Sequence, residues 1–124
     1  MNKRIYIETT VVSYQVARES QSSIVAGHQE STHRFWQLFG SEYEVYISDL
    51  VLQEAEQGNS EQARLRTEAL SQFPVLDADD EAKALAKLII LGRAIPASCP
   101  EDALHIAIAA VNGLDLIVTW NSAI

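Results

Sequence analysis

The chain has 124 residues, 48% of them hydrophobic, which is enough for one packed domain spanning 1–124. A formal charge of −8 is unusual for a chain that meets nucleic acid, so either the partner is not a polyanion or a cation supplies the local positive charge. A single cysteine, Cys99, excludes an internal disulfide and fits a reducing compartment, and "ALHIAIAAV" is too short to span a bilayer, so a cytoplasmic protein with no membrane contact is expected.

In chain order, the first strand-like run is Arg4–Glu8, where the apolar residues Ile5, Tyr6 and Ile7 stop abruptly on a carboxylate followed by Thr9 and Thr10. Ile24, Val25, His28, Phe35, Trp36 and Phe39 then recur at helical spacing up to a stop at Gly40. Tyr43–Ile47 reads as a second strand. Ser48 and Asp49 are cap candidates for a helix over Leu50–Gln57, closed by Gly58. A helix from about Ser60 to Gln72 and a short strand near Pro74–Leu76 follow. Asp79–Leu91 is apolar on most sides, which predicts a buried helix ending at Gly92. Pro100–Asn112 is a further helix, with Ser98 and Glu101 spaced as a capping box and Gly113 as its stop. Leu114–Trp120 is the last strand. This alternation predicts a parallel sheet covered by helices on both faces, with ligands binding beyond the carboxyl ends of the strands.

Acids gather at those ends. Glu8 closes the first strand, Glu54 lies one helical turn beyond the second, Asp102 sits in the first turn of the last helix, and Thr119 and Asn121 mark the exit of the last strand. Asp102 taken alone is most simply a residue favouring the helix dipole, Asn121 a turn residue, and Glu56 a solvated surface group. Glu8 resists that treatment, because a carboxylate finishing a central strand must be paired, metal-bound or catalytic, and its near neighbours Lys3 and Arg4 lie at the opposite end of the strand. Two carboxylates about 5 Å apart repel by roughly 3 kcal/mol at an effective dielectric near 20. A hard divalent ion resolves the conflict, and all-oxygen ligation favours Mg²⁺ or Mn²⁺ over zinc. His105, three residues after Asp102, shares its helix face but reads as a core histidine with its ring nitrogens satisfied. His28 and His33 look structural or exposed, and Trp36 and Trp120 look like packing residues.

The stretches "YIETTVVSY", "ISDLVLQEAEQG", "PASCPEDALHIAIAAVNGLDLIVTWN" and "STHRFWQLF", in this order, resemble the PIN-domain ribonucleases, particularly the VapC-type toxins of type II toxin–antitoxin pairs. The resemblance implies an α/β three-layer α/β/α sandwich around a short parallel sheet. It also implies a further strand and helix beyond "TWNSAI", elements expected to be missing from these residues. Glu8 then takes the place of the family's first acid, usually aspartate. Glu54 matches the second, Asp102 the third, and Asn121 the position of a fourth acid, often aspartate. Glu8, Glu54 and Asp102 become the expected catalytic residues and, with Asn121, the metal ligands. Thr9 and Thr119 match hydroxyls that orient them. Further implications are a Mg²⁺- or Mn²⁺-dependent endoribonuclease acting on RNA, a cognate antitoxin and a homodimer. The alternative is a catalytically silent PIN-like module that only binds or dimerises. A phosphoacceptor receiver would need a lysine after a late strand, and nothing basic follows "VTW".

Overall fold

The computed structural model describes residues 2–124. Among them are four strands and six helices: β1 (Lys3–Ile7), α1 (Thr9–Val16), α2 (Ser23–Trp36), β2 (Tyr43–Ser48), α3 (Asp49–Ala55), α4 (Ser60–Leu70), β3 (Val75–Leu76), α5 (Asp80–Leu91), α6 (Pro100–Val111) and β4 (Leu116–Val118). The strands form one all-parallel sheet in the order β3-β2-β1-β4, as expected for a PIN-like three-layer sandwich. No strand or helix follows β4 among the described residues.

The register explains the burial. β1 pairs with β2 through Ile5↔Val45 and with β4 through Ile7↔Val118, so it is flanked on both sides. Ile5, Tyr6 and Ile7 are all fully buried, and because successive side chains point to opposite faces, both faces of the sheet at β1 are covered. From β1 the chain builds outward through β2 to β3, then crosses to β4 on the other side. The topological switch point therefore lies between β1 and β4, where Glu8 N–H donates to the Val118 carbonyl at 3.0 Å.

Most helix boundaries follow the local signals. Ser48 caps α3 by accepting from Val51 N–H at 3.1 Å, Asp79 caps α5 by accepting from Ala82 N–H, and Gly113 ends α6 in the left-handed conformation at φ 66°. Three features depart from expectation. Helix α1 has no sequence signal of its own: Thr9, Thr10, Val11 and Val12 are β-branched, and tertiary packing of Val11 and Val12 overrides their weak helix preference. Ser98 does not cap α6, because Pro100 fixes the first helical residue and makes Cys99 the N-cap, with no side-chain hydrogen bond. Helix α5 is not buried all round, since it packs on α6 and leaves Leu88 and Leu91 exposed at 64% and 77%.

Candidate active site

The switch point carries the acids. Glu8 is the N-cap residue of α1, yet its carboxylate does not cap the helix. Its Oε1 instead accepts from Thr10 Oγ1 at 2.5 Å and from Thr119 Oγ1 at 2.7 Å, one hydroxyl from the start of α1 and one from the exit of β4. With 5% exposure, Glu8 is a buried carboxylate with no ion-pair partner among the described residues, held by neutral donors. The same threonines lock the loop after β4: Thr10 Oγ1 accepts from Trp120 N–H and Thr119 Oγ1 accepts from Asn121 N–H.

Glu54, near the end of α3, reaches the same place. Its Oε1 accepts from Thr9 Oγ1 at 2.5 Å and from His105 Nε2 at 2.8 Å. Burial pushes the Glu54 carboxyl upward, but the hydrogen bonds from His105 and Thr9 outweigh it and hold the group below the usual carboxylate range. Glu8, Glu54 and His105 each place one donor atom within 4.8 Å of the others. Positions 8 and 54, far apart in the sequence, thus meet.

Asp102 stands outside that trio and shares with Glu54 alone of its members a cleft of about 510 Å³, lined also by Gln57, Cys99 and Glu101. Its Oδ1 accepts from Asn121 Nδ2 at 3.0 Å, while Asn121 Oδ1 accepts from Ala123 N–H. Asn121 is therefore a tether: an amide at this position can donate to Asp102, which an aspartate could not. A continuous chain of contacts runs from Asp102 through Asn121 and Thr119 to Glu8.

His105 is buried, with both ring nitrogens engaged, in keeping with a satisfied core histidine. Its Nδ1 meets Tyr6 Oη at 2.5 Å, and Tyr6 Oη also meets Ser48 Oγ at 2.8 Å. Burial raises the Tyr6 hydroxyl well above its ordinary range, so it stays protonated. Tyr6 and Thr10 were not legible as site residues. A tyrosine inside an otherwise apolar strand was the available signal for Tyr6, because a buried hydroxyl needs a partner. Trp120 does pack: it stacks on His28 at 4.2 Å between centroids and donates to Thr32 Oγ1.

The donor set fits a hard divalent cation. Glu8 and Glu54 are oxygen donors brought close with no lysine or arginine between them among the described residues, and Asp102 lines the same cleft as Glu54. Among the described residues no helix is long and apolar enough to cross a membrane. Comparison with curated proteins gives no match. The family model described as PIN domain matches residues 5–124. The chain belongs to the PIN domain family, whose members are generally nucleases that require a metal.

Proposed function

We propose that this chain is a Mg²⁺- or Mn²⁺-dependent endoribonuclease of the VapC type, the toxin of a toxin–antitoxin pair. The observation that carries the reading is the approach of the Glu8 and Glu54 carboxylates within 4.8 Å at the switch point, inside a PIN domain. Left without a cation, that pair is a repulsion of roughly 3 kcal/mol buried in a small domain.

In this mechanism Glu8 and Asp102 hold the ion, directly or through water, with Asn121 Oδ1 as a neutral fourth donor. Glu54 is a further ligand or the group that orients the attacking water. Thr9 and Thr119 fix the carboxylates they bond, so that the acids do not have to reorganise as the phosphodiester approaches. When bound, the ion supplies acidification of water and a counter-charge for the phosphoryl oxygens. That local charge reconciles a net −8 with a polyanionic substrate.

Contacts to the RNA backbone fall to few side chains. Arg34 is paired with Glu30, Arg64 with Glu61 and Glu68, and Arg66 donates to the Ala55 and Gln57 carbonyls, whereas Arg18 lines a groove of about 540 Å³ with Asn59 and Gln62. Cytoplasmic location is supported by the lone thiol, and a homodimer by the exposed Leu88 and Leu91 on α5. Neutralisation by a cognate antitoxin is supported by the sequence resemblance alone.

The test is cleavage of an RNA panel in Mn²⁺ by the full chain, with Asp102→Asn and Glu54→Gln as controls. Wild type should cleave and both variants should lose at least 100-fold in rate. Equal faint background from all three proteins would overturn the enzyme reading in favour of a silent binding module.

A further inference from the structure

Resting on the reading of Glu54 as a metal-site residue, we propose that His105 is a positioning residue for it: Tyr6 holds the imidazole in the tautomer with its proton on Nε2, and that N–H, with the Thr9 hydroxyl, clamps Oε1 of Glu54 so that Oε2 is presented to the cleft.

The direction of each hydrogen bond follows from the donors available. Ser48 Oγ already accepts from Val51 N–H, so its own proton is free to point at Tyr6 Oη. An ionised Glu54 can only accept, which places the imidazole proton on Nε2 and leaves Nδ1 as an acceptor. Tyr6 then donates to Nδ1, and Ser48 donates to Tyr6. Every proton in the series Val51 N–H, Ser48, Tyr6, His105, Glu54 has one acceptor. The reverse tautomer would set the Nε2 lone pair against a carboxylate oxygen at 2.8 Å. Both bonds to Glu54 fall on Oε1, and Oε2 accepts none from the described residues, while Glu54 lines the cleft. Tyr6 and Ser48 are fully buried on adjacent central strands and His105 is 1% exposed on α6, so the clamp is anchored in the core rather than in a loop.

This assigns His105 a role distinct from direct ligation, although one of its ring nitrogens lies within 4.8 Å of donors on both glutamates. A ligand would need the Nε2 lone pair, hence the opposite tautomer.

Long-range ¹⁵N–¹H correlation spectra of the full chain labelled with ¹⁵N-histidine read the tautomer directly, without and with Mg²⁺. His28→Gln and His33→Gln assign the His105 signals. The expected result is a protonated Nε2 and a bare Nδ1 in both conditions. A proton on Nδ1, or loss of the Nε2 proton when Mg²⁺ is added, overturns the proposal and leaves RNA cleavage untouched. In the cleavage assay Tyr6→Phe, which frees the tautomer without touching Glu54, should lower kcat about 10-fold with KM within about twofold. His105→Gln, which keeps an N–H for Glu54, should retain about tenfold more activity than His105→Leu and bind Mn²⁺ more tightly. Equal Mn²⁺ affinity and equal kcat for these two, both folded, would also overturn it. Should wild type cleave no RNA, the tautomer and the Mn²⁺ affinities still decide the clamp.

Discussion

Glu8→Gln separates a site built around a cation from an ordinary buried acid. Glu8 and Glu54 offer oxygens within 4.8 Å of each other, so their repulsion at an effective dielectric near 20 is about 3.5 kcal/mol. Glutamine removes that term and keeps an oxygen able to accept from Thr10 and Thr119. Both hydrogen bonds pass from charge-assisted to neutral, a loss of about 1 kcal/mol each. The balance is a gain of about 1.5 kcal/mol in the metal-free protein, or about 5 °C in Tm for a domain of this size. In EDTA the variant should therefore unfold later than wild type by calorimetry. With Mn²⁺ at about 100 times its Kd, wild type gains about 2.7 kcal/mol while the variant, missing a ligand, gains far less. The two stabilities should cross, and the more stable apoprotein should be the inactive one. A variant less stable than wild type in EDTA, with no Mn²⁺ effect on either, would falsify the electrostatic reasoning.

Asn121→Asp replaces the donor to Asp102 Oδ1 with a second carboxylate at about the same spacing, so urea unfolding in EDTA should show a loss of about 2 kcal/mol that Mn²⁺ largely restores. Thr119→Val removes the hydroxyl that donates to Glu8 and accepts from Asn121; a cost of about 2 kcal/mol and a fall in kcat with little change in KM are expected from thermal scans and cleavage kinetics. Tyr6 gives a pH signature. Its folded-state hydroxyl lies above the ordinary value of 10.0, so the folded protein holds that proton longer than the unfolded chain. The associated stability is fully present below pH 10.0 and is lost as pH rises beyond it. Unfolding free energies at alkaline pH should show that decline in wild type and a shallower one in Tyr6→Phe.

How much of this was legible in the sequence divides along the distance between partners. Glu8 announced itself because a carboxylate ending a buried run has no local neutraliser. Helix α5 began where Asp79 caps it, and α6 stopped at Gly113, both from residues within one turn of the boundary. Local chemistry misled at α1, where β-branched residues argue against a helix that packing imposes, and at Ser98, where Pro100 set the start of α6. Burial of His105 with its ring nitrogens satisfied, by backbone or by a carboxylate, was readable from an apolar helix face. That the carboxylate is Glu54, and that Tyr6 sits on the other nitrogen, depends on β1, α3 and α6 meeting, which no local pattern encodes. The pairing of Asp102 with Asn121 is of the same kind: each looked like a local helix or turn residue until the exit of β4 was placed beside α6.

The three acids are not equivalent, and their places on the helices explain the difference. Glu8 is the N-cap of α1 and Asp102 lies in the first turn of α6, both where unsatisfied backbone N–H groups and the helix dipole favour negative charge. Those two carboxylates therefore need only a few neutral donors: threonine hydroxyls for Glu8 and an asparagine amide for Asp102. Glu54 precedes Ala55, the last residue of α3, and lies at the end where the dipole opposes a carboxylate. It is also partly buried, which by itself raises its pKa, yet the group is held low. The deficit must be met from outside the helix, and it is met by Thr9 from the start of α1 and by His105 from α6. An imidazole is suited to this place because it carries an N–H on one side and still accepts from Tyr6 on the other, linking the least favoured acid to the centre of the sheet. The contact of His105 with Glu54 thus follows from where that acid falls on its helix.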